Sequence, residues 1–549
     1  MRGESQNSLD CASDCHITAG RFVIPMKDLK AKTFFGVLII VAAFMTTSSL
    51  TNGHDWGDDF AGYIMQARGV TEGISQRFIE SNRYTMRQSS YPLGPIAYPW
   101  GFPVLLAPLY GMFGLNIIAL KSVGVLFFVL FLGVVWIGFR KYHGDLWFFC
   151  LVCLLFLNPH IVGFTDKVLS DIPFLVFSTT AIVMMGRWLI DRRPFFSETH
   201  DAILLGVAIA AAFFVRINGI LLLVTLALTQ LIFLGRRLAE HGWRKALKLD
   251  FRQAVLSDSP DETPGYVNVL PYLSFFAAMT IWRIVLPNVE SYDSSMLDDL
   301  SLHVVKNHVL YYSDVMSLFF AGVPHSHLLY GASIVAVLAG ALKRFKSDYH
   351  IIVYTILTFL LYILWPATQG LRFLLPIVPF YCSFVLTGLE VFQAGETRVE
   401  RGFRKTVCLL PIIFVLTYFT MHSVHSVYVN LIRHRERSAG PFSLGAKSMF
   451  SFIRQNTDSN STIVFFKPRA MTMLTGRKSI MINTIEQLSR GDYLSIYSSG
   501  STPDQISDEA LIQLVKQERA RLMYESSEYR IYCLTTKEAA AGIPRRGCP

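Results

Sequence analysis

The chain has 549 residues, of which 52% are hydrophobic and only 16% charged, with 42 phenylalanines and a formal net charge of +10. A soluble protein of this length carries about a quarter charged residues, so the composition excludes an ordinary soluble enzyme and fits a chain whose main solvent is lipid. The positive balance does not indicate nucleic acid, because the lysines and arginines fall in short clusters between apolar runs, where the basic bias of cytoplasmic loops accounts for them.

A membrane span needs about 20 apolar residues, with about 17 to 25 tolerated, and about eleven runs qualify. They are 33–50, 117–139, 145–163, 171–190, 201–215, 217–234, 266–287, 326–342, 350–366, 373–392 and 405–426. Segment 1–32 holds Lys27, Lys30 and Lys32 and reads as cytoplasmic. No clean small-residue cleavage site follows, so the first run is expected to stay as a span, a removed signal peptide being the alternative. The two short runs around Arg216 are counted as two spans, a helical hairpin or one bent helix being the alternatives.

The stretch 100–114 is also apolar, but it holds Pro103 and Pro108 and is only about 15 residues long. If it lies in the interface, the basic clusters at 27–32, 140–141, 187–193, 236–252, 343–346 and 398–405 all fall on one side. If it crosses, the first cluster opposes all the others. Charge bias therefore predicts a cytoplasmic N-terminus, an interfacial helix at 100–114 and a tail outside. The outer side then receives 51–99, 288–325 and everything after about 428.

The expected fold is a polytopic α-helical membrane domain over 33–427 followed by a small extracytoplasmic α/β domain over 440–549. That tail alternates between helical 444–455, strand-like 462–466 and 479–483, helical 508–519 and β-rich 521–534. Of the eight cysteines, none shows a zinc-ligand spacing with histidine. Cys11 and Cys15 read as free cytoplasmic thiols, Cys150 and Cys153 lie in an apolar run, and Cys533 and Cys548 would be outside and able to pair.

The first outer loop opens with His54-Asp55-Trp56-Gly57-Asp58-Asp59-Phe60. Adjacent Asp58 and Asp59 repel when both are ionised, which raises one pKa unless a cation or donors compensate. A carboxylate tuned in this way can take the proton of an attacking hydroxyl. On a helix the two side chains diverge by about 100°, so they cannot serve one substrate atom equally. Solvated loop acids are the plain alternative.

Asp59, Tyr63 and Ala67 at four-residue intervals are followed by Tyr98-Pro99-Trp100-Gly101-Phe102-Pro103 and its continuation to Phe113-Gly114. Ser170-Asp171-Ile172-Pro173-Phe174, Arg372-Phe373-Leu374-Leu375-Pro376 and a tail segment Phe465-Phe466-Lys467-Pro468-Arg469-Ala470-Met471 complete the set. In this order the motifs resemble the GT-C superfamily of membrane glycosyltransferases, especially bacterial PMT-like relatives of protein O-mannosyltransferases and lipid A aminoarabinose transferases. The likeness runs from about residue 34 to 480.

The resemblance implies an inverting hexosyl- or pentosyltransferase in a bacterial inner membrane. It would move a sugar from a polyprenyl-phosphate carrier to a hydroxyl of a glycan, lipid or protein on the outer face. The first-loop Asp is the implied base. Spacing to the tyrosine puts that role on Asp59 and makes Tyr63 a substrate-binding candidate, while the acidic pair of many relatives keeps Asp58 in contention.

A departing lipid phosphate gains negative charge, and a cation at the membrane surface stabilises it. Arg372 heads a span at headgroup depth and has the fork geometry for phosphate; a membrane-edge anchor is its plain reading. Arg216 lies in an otherwise apolar hairpin, where a charge needs a cavity or a partner. Asp171 is either a helix cap before Pro173 or an acceptor or metal ligand. Lys467 and Arg469 read as a solvated basic turn, an anionic acceptor being the sharper alternative. His325 and His327 are assigned no ligand. No cofactor is expected, although the acidic pair leaves Mg²⁺ or Mn²⁺ open. A secondary transporter and a non-catalytic relative are the rival classes; transporters predict repeat symmetry, and none is visible.

Overall fold

The computed structural model describes residues 26–241, 265–287, 301–365, 367–394, 397–433, 439–498 and 502–535. Helices come first: α1 Met26–Ser48, α2 Asp59–Glu72, α3 Ser75–Gln88, α4 Gly101–Phe113, α5 Ile117–Phe139, α6 Asp145–Phe156, α7 Pro159–Thr165, α8 Asp171–Met185, α9 Glu198–Val215 and α10 Ile220–His241. Then come α11 Leu270–Val285, α12 Leu302–Val315, α13 Ser326–Leu364, α14 Leu371–Phe392 and α15 Arg398–Ile432. The tail adds α16 Leu444–Asn456, β1 Thr462–Val464, α17 Pro468–Thr475, β2 Lys478–Ile480, β3 Tyr493–Tyr497, α18 Asp508–Lys516, β4 Ala520–Glu525 and β5 Tyr529–Leu534.

Among the described residues eight helices are long and apolar enough to span a membrane, or nine if α6 and α7, bent by 54°, make one span. About eleven were expected. The difference has two sources. Helix α11 is 16 residues long and falls short. The runs 326–342 and 350–366 both lie in α13, which counts once although its 39 residues are about twice what one span needs. Its backbone breaks at Asp348 (φ −124°, ψ 23°), between the two apolar runs. Helix α4 has 13 residues, about 20 Å, too short to cross.

Two helices, each long and apolar enough to span, flank Arg216. Helix α9 starts on the Ser197 hydroxyl, which accepts from His200 N, and stops where Arg216 turns extended (φ −148°, ψ 135°). A 3₁₀ turn at Ile217–Gly219 then leads into α10. Loop 51–99 is largely helical. In α2 the apolar side chains Phe60, Tyr63, Ile64 and Ala67 recur at helical spacing and are all buried. The helix ends at Gly73 in the left-handed region (φ 71°).

The C-terminal domain is a five-stranded sheet in the order β2-β1-β3-β5-β4, with β2, β1 and β3 parallel and β3, β5 and β4 antiparallel. The sequence reading located every element but α17 and β3. Helix α3 lines the β2 edge: Thr85 Oγ1 donates to Ser479 O at 2.9 Å and Ser90 N to Met481 O at 2.8 Å. Trp56 inserts among Phe450, Phe465 and Phe466, with ring centroids 5.1 to 6.3 Å apart. The first loop and the C-terminal domain therefore share one packed interface. Cys150, Cys153, Cys382 and Cys408 are free and Cys533 is disulfide-bonded; Cys11, Cys15 and Cys548 lie outside the described residues.

Candidate active site

Four chain segments far apart in sequence meet where α2 begins. Asp59 is its first residue and projects between the start of α14 and the Pro-rich stretch before α4. Arg372 Nη1 donates to Asp59 Oδ2 at 2.7 Å, and Arg372 Nε donates to both oxygens of Asp171 at 3.0 Å. Arg216 Nη1 donates to Asp171 Oδ1 from the break between α9 and α10. Two carboxylates and two guanidinium groups thus form a neutral, mostly buried chain, with the Asp171 side chain 1% and the Arg372 side chain 17% exposed. Pairing of this kind is what makes charge tolerable away from water.

The Tyr98 hydroxyl donates to Asp59 Oδ1 at 2.6 Å. Gln66, fully buried on α2, fixes the Tyr98 backbone through two hydrogen bonds of its side-chain amide: its Nε2 donates to Tyr98 O, and Tyr98 N donates to its Oε1, both at 2.9 Å. The Tyr63 ring packs at 4.4 Å against the Tyr98 ring, tilted by 38°, and its hydroxyl shares a hydrogen bond of 2.9 Å with Ser170 Oγ. Burial pushes the Asp59 carboxyl up, but Arg372 and the Tyr98 hydroxyl outweigh it and hold the group down at about 2. Asp59 is therefore an anion at neutral pH, locked to a cation.

Asp58 points elsewhere. Its Oδ1 accepts from Arg469 N at 3.1 Å and Ala470 N at 3.4 Å, so it caps the N-terminus of α17 in the C-terminal domain. Burial pushes its carboxyl above the ordinary range, and the charges of Arg469 and Lys467 only partly offset this. The two adjacent acids thus diverge as helical neighbours should.

Arg469 corrects the sequence reading. It is 1% exposed, not a solvated turn residue, and reaches back into the first loop. Its Nη1 donates to the Tyr98 hydroxyl at 2.8 Å, Nε to Asn82 Oδ1 at 3.2 Å and Nη2 to Pro95 O at 2.6 Å. Lys467 instead pairs with Asp504 at 2.7 Å. Asp171 is not the helix cap, a position taken by Ser170; its carboxylate holds the two arginines. Arg372 is engaged by the two carboxylates and also donates from Nη1 to Gln369 Oε1 at 3.1 Å. His327 lies 3.6 Å from Asp314 on the surface, away from this cluster.

Sequence reasoning missed Tyr98 and Lys121 as site or support residues, and weighed Arg469 only as a solvated turn or an acceptor ligand. Lys121 lies fully buried in α5 and donates to Asp166 at 2.7 Å and Thr51 O at 2.8 Å, tying down the start of the loop. A lysine inside an apolar span was its available signal. Among the described residues no group of three or more His, Cys, Asp or Glu side chains is placed to hold a metal ion.

No protein-family model and no curated protein sequence matches the chain. Solved structures do. ArnT from Cupriavidus metallidurans in the apo state aligns over 94% of this chain and 100% of its own, with TM-score 0.53 at 12% identity. The same protein bound to undecaprenyl phosphate gives 0.54 at 11% identity over 91% and 98%. Archaeal oligosaccharyltransferase AglB from Archaeoglobus fulgidus, with an inhibitory peptide and a dolichol-phosphate, gives 0.51 at 12% identity over 94% of this chain and 75% of AglB. The helical domain and its small C-terminal sheet domain together share the fold of these GT-C glycosyltransferases.

Proposed function

We propose that the chain is an inverting glycosyltransferase that moves a sugar from a polyprenyl-phosphate carrier to a hydroxyl acceptor on the outer face of the membrane, with Asp59 as general base and Arg372 as phosphate ligand. The observation that carries this reading is the 2.7 Å pair between the Asp59 carboxylate and the Arg372 fork at the head of a span. It occurs in a fold that also binds undecaprenyl phosphate in ArnT and dolichol-phosphate in AglB.

The acceptor oxygen attacks the anomeric carbon as the bond to the phosphate oxygen breaks. Its proton passes to Asp59 and the electron pair leaves with the polyprenyl phosphate. Charge growing on that phosphate is stabilised by Arg372, with Arg216 behind it across Asp171. As the phosphate draws Arg372 away, Asp59 loses its strongest opposing charge and becomes a better base in the complex than in the free protein. A single carboxylate acting in one displacement inverts the anomeric centre.

Asp58 is not the base in this reading, because its oxygens face α17. Asp59→Asn keeps volume and shape, and general-base loss costs roughly 10²- to 10⁴-fold in rate. The test is transfer from purified polyprenyl-phosphate sugars. Asp59→Asn should lose turnover by that factor and still bind the lipid, whereas wild-type turnover in Asp59→Asn sinks the mechanism.

A further inference from the structure

We propose that Arg469, supplied by the outer domain, is a positioning residue for the base, acting on Asp59 through the Tyr98 hydroxyl. The proposal rests on the functional reading above and extends it to a domain that supplies neither the base nor the phosphate ligand.

The donor inventory fixes the direction of the chain. A guanidinium has five N–H donors and no acceptor, so at 2.8 Å from Arg469 Nη1 the Tyr98 oxygen can only accept. Its own proton must then point at its other neighbour, Asp59 Oδ1, 2.6 Å away. Without Arg469 the hydroxyl is free to rotate, and it can accept from a water or a substrate hydroxyl instead of donating to Asp59. Held as it is, Tyr98 fixes one carboxylate oxygen while Arg372 fixes the other, so the rotation of the Asp59 carboxylate is set from both ends.

The surroundings leave space for this arrangement and little else. A Cβ on Gly62 would fall 2.8 Å from the Tyr98 ring, and one on Gly94 would fall 3.3 Å from both Arg469 Nη1 and the Tyr98 hydroxyl. Gly94 also has φ 147°, a conformation that L side chains rarely adopt. Asn82, Pro95 and the Asp58 cap hold Arg469 in place along its whole length.

The charged and titratable groups facing Asp59 are Arg372 with Asp171 and Arg216 behind it, Tyr63 on its own helix, Tyr98, and Arg469 with Asp58 from the outer-domain side. Tyr98 and Arg469 both stabilise the Asp59 anion, so removing either should shift its titration upward.

The experiment compares Tyr98→Phe, Arg469→Met, Arg469→Lys and the Tyr98→Phe/Arg469→Met double variant, all in the full chain, in transfer from a polyprenyl-phosphate sugar. Tyr98→Phe and Arg469→Met should each lower kcat by roughly 10- to 100-fold at little change in donor KM, and move the acid limb of kcat/KM to higher pH. The double variant should be no worse than the worse single one, and Arg469→Lys should recover part of the loss. Independent, multiplying effects, or wild-type kcat and acid limb in Tyr98→Phe, overturn the relay. Should Arg469→Met misfold, Tyr98→Phe decides, because it keeps the ring and leaves Arg469 its bonds to Asn82 and Pro95. A wild-type chain without turnover would sink the functional reading alone. Isotope-edited infrared titration of the Asp59 carboxylate then decides the relay, an upward shift in Tyr98→Phe supporting it and an unchanged titration overturning it.

Discussion

Arg372 bridges Asp59 and Asp171, and three consequences follow for single residues. Lysine at 372 keeps the charge but has one nitrogen, and cannot reach both carboxylates and a phosphate as the fork does; Arg372→Lys should lose transfer at least roughly tenfold while the protein still accumulates in membranes. The second consequence concerns metals. Both carboxylates at the centre are already neutralised by guanidinium groups, so transfer assayed in excess EDTA, with and without added Mg²⁺ or Mn²⁺, should be unchanged. A strict cation requirement would mean that Arg372 swings away to admit one. The third concerns pH. A free Asp carboxyl titrates near 3.9, and Asp59 is held lower, so its ionic contribution is complete above about pH 4 and lost only as pH falls through about 2. In kcat/KM, which reports the free enzyme, no acid limb from Asp59 should appear above about pH 4. In kcat, which reports the complex, the limb should stand at higher pH because the phosphate has drawn Arg372 away. Of these residues, Asp59, Arg372, Arg216 and Asp171 were legible because a charge in or beside an apolar run is conspicuous. Tyr98 was not, since nothing in a tyrosine before a proline tells that its hydroxyl will find a carboxylate 39 positions earlier.

Among the elements, α13 and α14 approach most closely where glycines remove the side chain. A Cβ on Gly388 would fall 1.9 Å from Ala336 O, and one on Gly340 would fall 2.1 Å from Phe384 O. Small residues let helix backbones pack in this way in a bilayer, where no hydrophobic force between helices substitutes for close contact. Gly388→Ala forces the pair apart, at a cost of about 1–3 kcal/mol by overpacking. The thermal midpoint in detergent should fall, and activity with it, because Arg372 heads the same span. The two apolar runs of α13 and a break between them were legible, but the place of the break was not: the helix carries on through Lys343–Lys346 and breaks only at Asp348, whereas a basic cluster between apolar runs reads as a loop by charge alone. Helix α17 was missed for a different reason. Its eight residues have no start signal but Pro468, and the side chain that caps it, Asp58, comes from another domain.

For the whole molecule, the charge-derived topology predicts which side each part faces. A reporter fused after about residue 440 should be active only outside the cytoplasm, and fusions near Arg140 and Arg237 should report inside. An outside report at Arg140 would mean that α4 crosses, and every later loop would change side. The fold class and the order of the two domains followed from hydropathy, but the interface between them did not, because neither α3 against β2 nor Trp56 among the phenylalanines has a local signature. That interface also orders the assembly in time. The acidic loop is synthesised 411 residues before the helix that Asp58 caps and the arginine that aligns Tyr98. At about 5–20 residues per second this is a delay of roughly 20–80 s. Through that interval the spans can enter the bilayer while Asp58 is uncapped and the Tyr98 hydroxyl unaligned, so on the proposed function a nascent chain can hold donor before it can use it, and competence waits for Arg469 to be made and docked.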